Sequence, residues 1–202
     1  MENKMKIIQK KYLFVTIFSF FFALCACVKH THVEASDIEC LKNGELHMQH
    51  VDRGRVYLNV QGISPSRRFL GALQKVFAAR GFAFAAKPST ADLIVQISIC
   101  HAGGMNRSDA ERALESGYDS KVGITGDEVA GLVVDTLLVT RDVPQARSDE
   151  QRNLKTISQR SASGSSTLRL VLLSKKGISM QPVPLSFAHY LGETLCRYLD
   201  QK

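Results

Sequence analysis

The stretch Asp92-Leu93-Ile94-Val95-Gln96-Ile97-Ser98-Ile99-Cys100 decides the fold. Leu93, Val95, Ile97 and Ile99 share one face at a period of two, the signature of a β-strand with a buried side. Gln96 and Ser98 fall on the other face, which is left for water or a neighbour. Such a strand needs a covering layer, and the residues upstream supply one. Ser64-Pro65 reads as a helix start, with serine as N-cap and proline at the first helical position. Phe69, Leu70, Leu73, Val76 and Phe77 then recur at three- and four-residue spacing and form one apolar stripe. Arg80-Gly81 ends the helix, because glycine readily takes the left-handed conformation just past a helix.

Further out, Val56, Leu58 and Val60 alternate as a strand demands, and Phe82-Ala83-Phe84 reads as a short strand closed by Lys87-Pro88. His101 to Gly126 is polar and rich in Gly, Ser and Asp, with a short helix expected over residues 108–115. Residues 130–139 turn apolar again. About ten residues are too few to cross a membrane alone, and β-branched residues favour a strand from Val133 onward. A charged connection containing Pro144 follows, then a strand expected near residues 155–158 and a small-residue turn at 161–166. Thr167 to Leu173 is a further strand with Leu168, Leu170 and Leu172 on one side. Pro184 to Leu199 reads as a helix whose stripe is Leu185, Ala188, Leu191, Leu195 and Leu199.

The simplest way to bury both helix stripes is an α+β fold, a mostly antiparallel sheet with two amphipathic helices packed on one face. Leu73, Phe77, Val95, Ile97, Leu170 and Leu195 should then be buried. No repeat at solenoid period is present.

The N-terminus carries a different message. Lys4, Lys6, Lys10 and Lys11 precede an uncharged run from Tyr12 to Val28 dominated by Phe14, Phe18, Phe20, Phe21 and Phe22. A basic start, a short apolar core and small residues before a cut are the layout of a secretory signal. The alternatives are an uncleaved membrane anchor, for which seventeen residues are at the short limit, and an unlipidated secreted protein. The expected organisation is a signal over residues 1–26, an anchor and polar tether over 27–54, and one domain over 55–202. Cleavage there removes four Lys and one Glu, so the net charge of +7 falls to +4. That mild excess, with no Trp and no aromatic–basic interleaving, argues against nucleic acid as a partner. A basic face near anionic headgroups is a more ordinary use.

Cys40, Cys100 and Cys196 remain beyond the signal and Cys27. An odd number permits at most one internal disulfide. Buried thiols and a Cys100–Cys196 bridge are both open. No catalytic constellation stands out, so no enzyme activity and no cofactor are expected. There is no G-x-S-x-G to present a nucleophile. Gly123-Ile124-Thr125-Gly126 lacks the Lys-Ser that a phosphate loop needs. Asp127-Glu128 and Asp149-Glu150 read as solvated loop charge. His30, His32, Cys40, His47 and His50 are too loosely spaced for a tetrahedral zinc site, and His101 and His189 are lone residues.

Leu24-Cys25-Ala26-Cys27 resembles the lipobox of bacterial lipoproteins. Cys25 fits less well, because Leu24 would then hold the small-residue position. The resemblance implies cleavage before Cys27, diacylglycerol on its sulfur and a fatty acid on its new N-terminus. Three further stretches carry a second resemblance: Tyr57-Leu58-Asn59-Val60, the run Phe69 to Phe82, and Ala91-Asp92-Leu93-Ile94-Val95-Gln96-Ile97. Together with residues 158–173 and the terminal helix, they are similar to the core of the TraT lipoproteins, over roughly residues 55–199. That resemblance implies an outer-membrane, surface-exposed lipoprotein acting in surface exclusion during conjugation and in complement resistance. Its implied partners are the outer membrane through the lipid, donor-cell or host complement components, and further copies of itself. Family members carry a long Gly/Ala-rich apolar hairpin between their middle strands; here the interval from Ala102 to Gly131 is short and polar. That departure points to the alternative, a periplasm-facing assembly factor of a secretion, conjugation or lipopolysaccharide export apparatus.

Overall fold

The computed structural model describes residues 35–43, 54–63, 66–141 and 162–200. Six strands are present among them: β1 (Ile38–Asn43), β2 (Arg55–Gly62), β3 (Ala83–Phe84), β4 (Leu93–Met105), β5 (Val129–Arg141) and β6 (Ala162–Ser174). Three α-helices accompany them: α1 (Arg67–Ala79), α2 (Arg107–Ser116) and α3 (Leu185–Asp200). One sheet holds all six strands in the order β1-β6-β5-β4-β2-β3. The β1–β6, β6–β5 and β5–β4 pairs are antiparallel, whereas β4–β2 and β2–β3 are parallel. Parallel neighbours cannot be joined by a tight turn, and α1 fills the crossover that leaves β2.

The α+β architecture is the expected one, and α1 and α3 pack on the same face. Phe69, Leu73, Val76 and Phe77 of α1 share one core with Phe187, Leu191 and Leu195 of α3. The sheet contributes Val95 and Ile97 from β4, Leu132 and Val134 from β5, and Leu170 from β6. The six residues expected in the core, Leu73, Phe77, Val95, Ile97, Leu170 and Leu195, are all fully buried.

The ends of α1 show the local physics. Its N-cap is Ser66 rather than Ser64, since the Ser66 hydroxyl accepts from the Phe69 amide at 3.0 Å. Its C-terminus closes with Gly81 at φ 88°. There the Gly81 amide donates to the Ala78 carbonyl at 2.9 Å and the Phe82 amide to the Phe77 carbonyl at 3.1 Å, the paired bonds of a Schellman motif. The Phe77 and Phe82 rings, 5.5 Å apart between centroids, supply the apolar contact that accompanies it. Leu185 departs from the expected stripe of α3: it is the first residue of the helix and is 45% exposed.

Several boundaries move. Strand β1 lies ahead of Arg55, inside the stretch read as tether, and pairs with β6 from Ile38↔Ser174 to Asn43↔Arg169. β4 runs on to Met105 through residues read as loop, and β6 begins at Ala162, so the small residues 162–166 are strand rather than turn. A neighbouring ladder holds such residues extended whatever their own preference. The strand expected near residues 155–158 lies outside the described residues.

The second face of the sheet holds α2, whose Ala110 and Ala113 pack against Met105, Val133, Val171 and Leu173. Strand β5 therefore buries both faces, which explains its continuous apolar run. A register shift between Ile99 and His101 leaves Cys100 as an extra residue in β4. Such a bulge reverses the alternation. From Leu93 to Ile99 the odd-numbered residues face α1 and α3, whereas Met105 faces α2.

Candidate functional site

The most distinctive polar cluster lies under α2. Asp135 on β5 and Arg169 on β6 are direct cross-strand partners, 4% and 1% exposed. Arg169 Nε donates to Asp135 Oδ1 and Nη2 to Oδ2, both at 2.6 Å, a bidentate pair. The remaining donors reach upward. Nη1 donates to the Ala113 carbonyl at 3.1 Å and to Ser116 Oγ at 2.8 Å, and Nη2 also donates to the Ser120 carbonyl at 2.9 Å. A guanidinium has five N–H groups, and all five are engaged. Asp135 Oδ2 additionally accepts from the Asp119 amide at 2.8 Å and from the Cys100 thiol at 3.4 Å. The bonds to Asp135 raise the pKa of Arg169 further and keep it cationic.

A second clasp holds the other end of α2. Asn106 is the N-cap and accepts from the Asp109 amide at 2.7 Å. The Asp109 carboxylate, fully buried, accepts from the amides of Gly126 at 2.7 Å and Thr125 at 3.2 Å, and it pairs with Arg112. The Gly126 amide is the main cause that holds this carboxyl below the usual aspartate range; burial opposes it, and the Thr125 and Asn106 bonds assist. The amides of Thr125 and Gly126 thus serve a carboxylate of the same chain. Gly126 also leaves no room for a side chain, since a Cβ there would stand 2.6 Å from Asn106 Nδ2.

The two clasps make the interval between β4 and β5 a pinned platform. With every donor of Arg169 occupied inside the protein, the cluster holds α2 and the segment after it against the sheet. Neither Asp135 nor Arg169 stood out in the sequence as a site. The available signal was a lone charge inside each of two apolar runs, Val134-Asp135-Thr136 within residues 130–139 and Leu168-Arg169-Leu170 within residues 168–173.

The residues weighed from sequence are scattered. Cys27, His30, His32, His47, His50, Asp149 and Glu150 lie outside the described residues. Asp127 and Glu128 are exposed. His101 sits within β4, with Nε2 3.1 Å from the Gly104 carbonyl, and His189 is exposed on α3. Cys40, Cys100 and Cys196 are free thiols. Cys100 packs with the α2 cluster and Cys196 with the α1–α3 core, so the sheet separates the two. Burial pushes the Cys196 thiol up to about 12 and that of Cys40 up to about 11. Burial, then Asp135, raises that of Cys100. Among the described residues, no three His, Cys, Asp or Glu are grouped to hold a metal ion, and no helix is long and apolar enough to cross a membrane.

No family model matches the chain, and no curated protein matches it. Solved structures similar to it include the following two. A crystal structure of a DUF4136 family protein from Bacteroides thetaiotaomicron is 15% identical, with 82% of this chain and 99% of that chain covered and a TM-score of 0.41. A PelC dodecamer from Paraburkholderia phytofirmans is 10% identical, covering 82% and 97% of the two chains with a TM-score of 0.35. Both scores fall below 0.5, so neither likeness assigns a role to this chain.

Proposed function

We propose that this chain is an outer-membrane lipoprotein that works by binding or shielding rather than by catalysis. The observation that carries the reading is Leu24-Cys25-Ala26-Cys27 at the end of a basic-then-apolar start. The arrangement under α2 is consistent with it, since its charged groups are consumed in holding the helix. The resemblance to the TraT lipoproteins extends the proposal to surface exclusion, which blocks stable mating contact by a donor carrying a similar element, and to resistance to complement.

Expression in a recipient cell tests it. Conjugation from donors with a related element should fall and survival in serum should rise. Cys27→Ser should abolish both effects together with incorporation of labelled palmitate. Unchanged mating and unchanged serum killing, in a strain that expresses the protein well and displays it at the surface, would overturn the surface role.

One observation favours a second reading. The family's apolar hairpin is replaced by a short helix pinned at both ends by Asp109 and Arg169. A domain so built suits a periplasm-facing assembly factor of a secretion, conjugation or lipopolysaccharide export apparatus. Protease digestion of intact cells separates the two readings, because only a surface-exposed domain is shaved.

A further inference from the structure

Strand directions define two ends of the sheet. β2 and β4 finish, β5 and β1 begin, and β6 finishes at one end, where Gly62, Met105, Val129, Ile38 and Ser174 lie. α1 starts four residues beyond Ile63, and α3 starts after the turn that follows Ser174. Arg80, just past α1, pairs with Glu193 and Asp200 in the C-terminal half of α3. The two helices therefore run side by side in the same direction, with their first turns at this end.

The surface at this end has an unusual composition. Ile63 is 51% exposed and Leu185 45%, two of only four large apolar residues exposed among those described. Arg67 and Arg68 at the start of α1 and Lys175 and Lys176 just past β6 are exposed, and neither α1 nor α3 has an acidic residue in its first turn; the exposed Asp127 and Glu128 precede β5 at the same end of the sheet. Asp37, at the entry to β1, pairs with Lys176 at 2.7 Å. The Lys175 amide also donates to the Asp37 carbonyl at 2.8 Å, so the chain enters the sheet beside this basic rim.

We propose that this end is the face that rests on the membrane, with Ile63 and Leu185 entering the interface and Arg67, Arg68 and Lys175 meeting anionic phospholipid headgroups. The inference rests on lipidation at Cys27. Eight residue steps separate Cys27 from Ala35, and fully extended they reach at most about 29 Å. β4 alone, thirteen residues long, extends about 40 Å along the sheet. The tether is shorter than the sheet, so the anchored end stays nearest the lipid. Exposed apolar residues rimmed by Lys and Arg are the composition that binds an anionic interface.

The chain has no tryptophan, so single substitutions report cleanly. Full-length protein carrying Leu185→Trp or Ile63→Trp is reconstituted into vesicles of phosphatidylcholine and phosphatidylglycerol with brominated acyl chains. Phe84→Trp at the opposite end, where Phe84 is 39% exposed, is the reference. Fluorescence should shift to the blue and be quenched for the first two and not for the third. Adding Arg67→Glu and Arg68→Glu to the Leu185→Trp protein should remove the quenching while the protein still floats with the vesicles. Glutamate suits the first turn of a helix better than arginine, so the loss would not reflect unfolding. Equal quenching at both ends, or quenching untouched by charge reversal in protein that floats, overturns the orientation. Protein that does not float overturns the lipid anchor and the orientation with it.

Discussion

Asp135 and Arg169 face each other across β5 and β6, joined by two 2.6 Å bonds, and the same guanidinium holds the last turn of α2 by the Ala113 carbonyl. One residue thus links two strands and a helix. Desolvating such a pair is costly, and breaking it is costlier still, because the surviving charge is left buried alone.

Asp135→Ala should destabilise the protein by about 3–5 kcal/mol, the usual consequence of orphaning one member of a buried pair. Asp135→Leu combined with Arg169→Met should recover much of that loss. Amide exchange at residues 113–120 should nevertheless stay fast in the double variant, because the carbonyls of Ala113 and Ser120 lose the guanidinium donor. Urea unfolding and hydrogen exchange together check this. A double variant as unstable as the single one would show that the pair is not what the core tolerates least.

Asp109 sets an acid-side dependence. Its folded-state pKa lies below its ordinary value, chiefly through the Gly126 amide. A carboxyl depressed in this way contributes stability above its unfolded pKa of about 4 and loses it as pH falls through the folded value. Stability measured downward from neutral pH should therefore drop below about pH 4. In Asp109→Asn the drop should be shallower and the neutral-pH stability lower.

Leu73 is fully buried between α1 and the sheet. Leu73→Ala should cost about 2–5 kcal/mol, the range for emptying a filled core site. The denaturant midpoint should move without a change in slope if the rest of the core stays in place. The close approach of α1 and α3 gives a companion test. A Cβ at Gly192 would lie 3.0 Å from Val76, so Gly192→Leu should destabilise by about 1–3 kcal/mol through overpacking.

The thiols give a chemical readout of burial. Burial pushes the Cys196 thiol up to about 12, so it stays almost wholly protonated at pH 8, and the thiolate is the reactive form. Alkylation of Cys196 and Cys40 at pH 8 should be slow in the native protein and prompt in denaturant. Mass spectrometry after a timed pulse of iodoacetamide would detect the contrast. Rapid native labelling at Cys196 would contradict its position in the core.

What the sequence determined by itself was the periodic part of the structure. The period-two run from Leu93 to Ile99 and the helical stripes through Leu73 and Leu195 specified strands, helices and the face each one buries, because alternation follows from backbone geometry. The Gly81 stop was equally legible, since a left-handed residue after a helix calls for glycine. Tertiary structure decided the rest. β1 was hidden because six residues, Ile38-Glu39-Cys40-Leu41-Lys42-Asn43, with no sustained apolar alternation acquire strand geometry only when β6 lies alongside. The small residues 162–166 became strand for the same reason, with β5 as the template. The second face was the least legible. Cys100 as a bulge, Asp109 as a clasp on residues 125 and 126, and the Asp135–Arg169 pair each depend on groups 16 to 56 residues apart. No local pattern encodes which distant donor will satisfy a buried charge; only the folded chain brings it within hydrogen-bond reach.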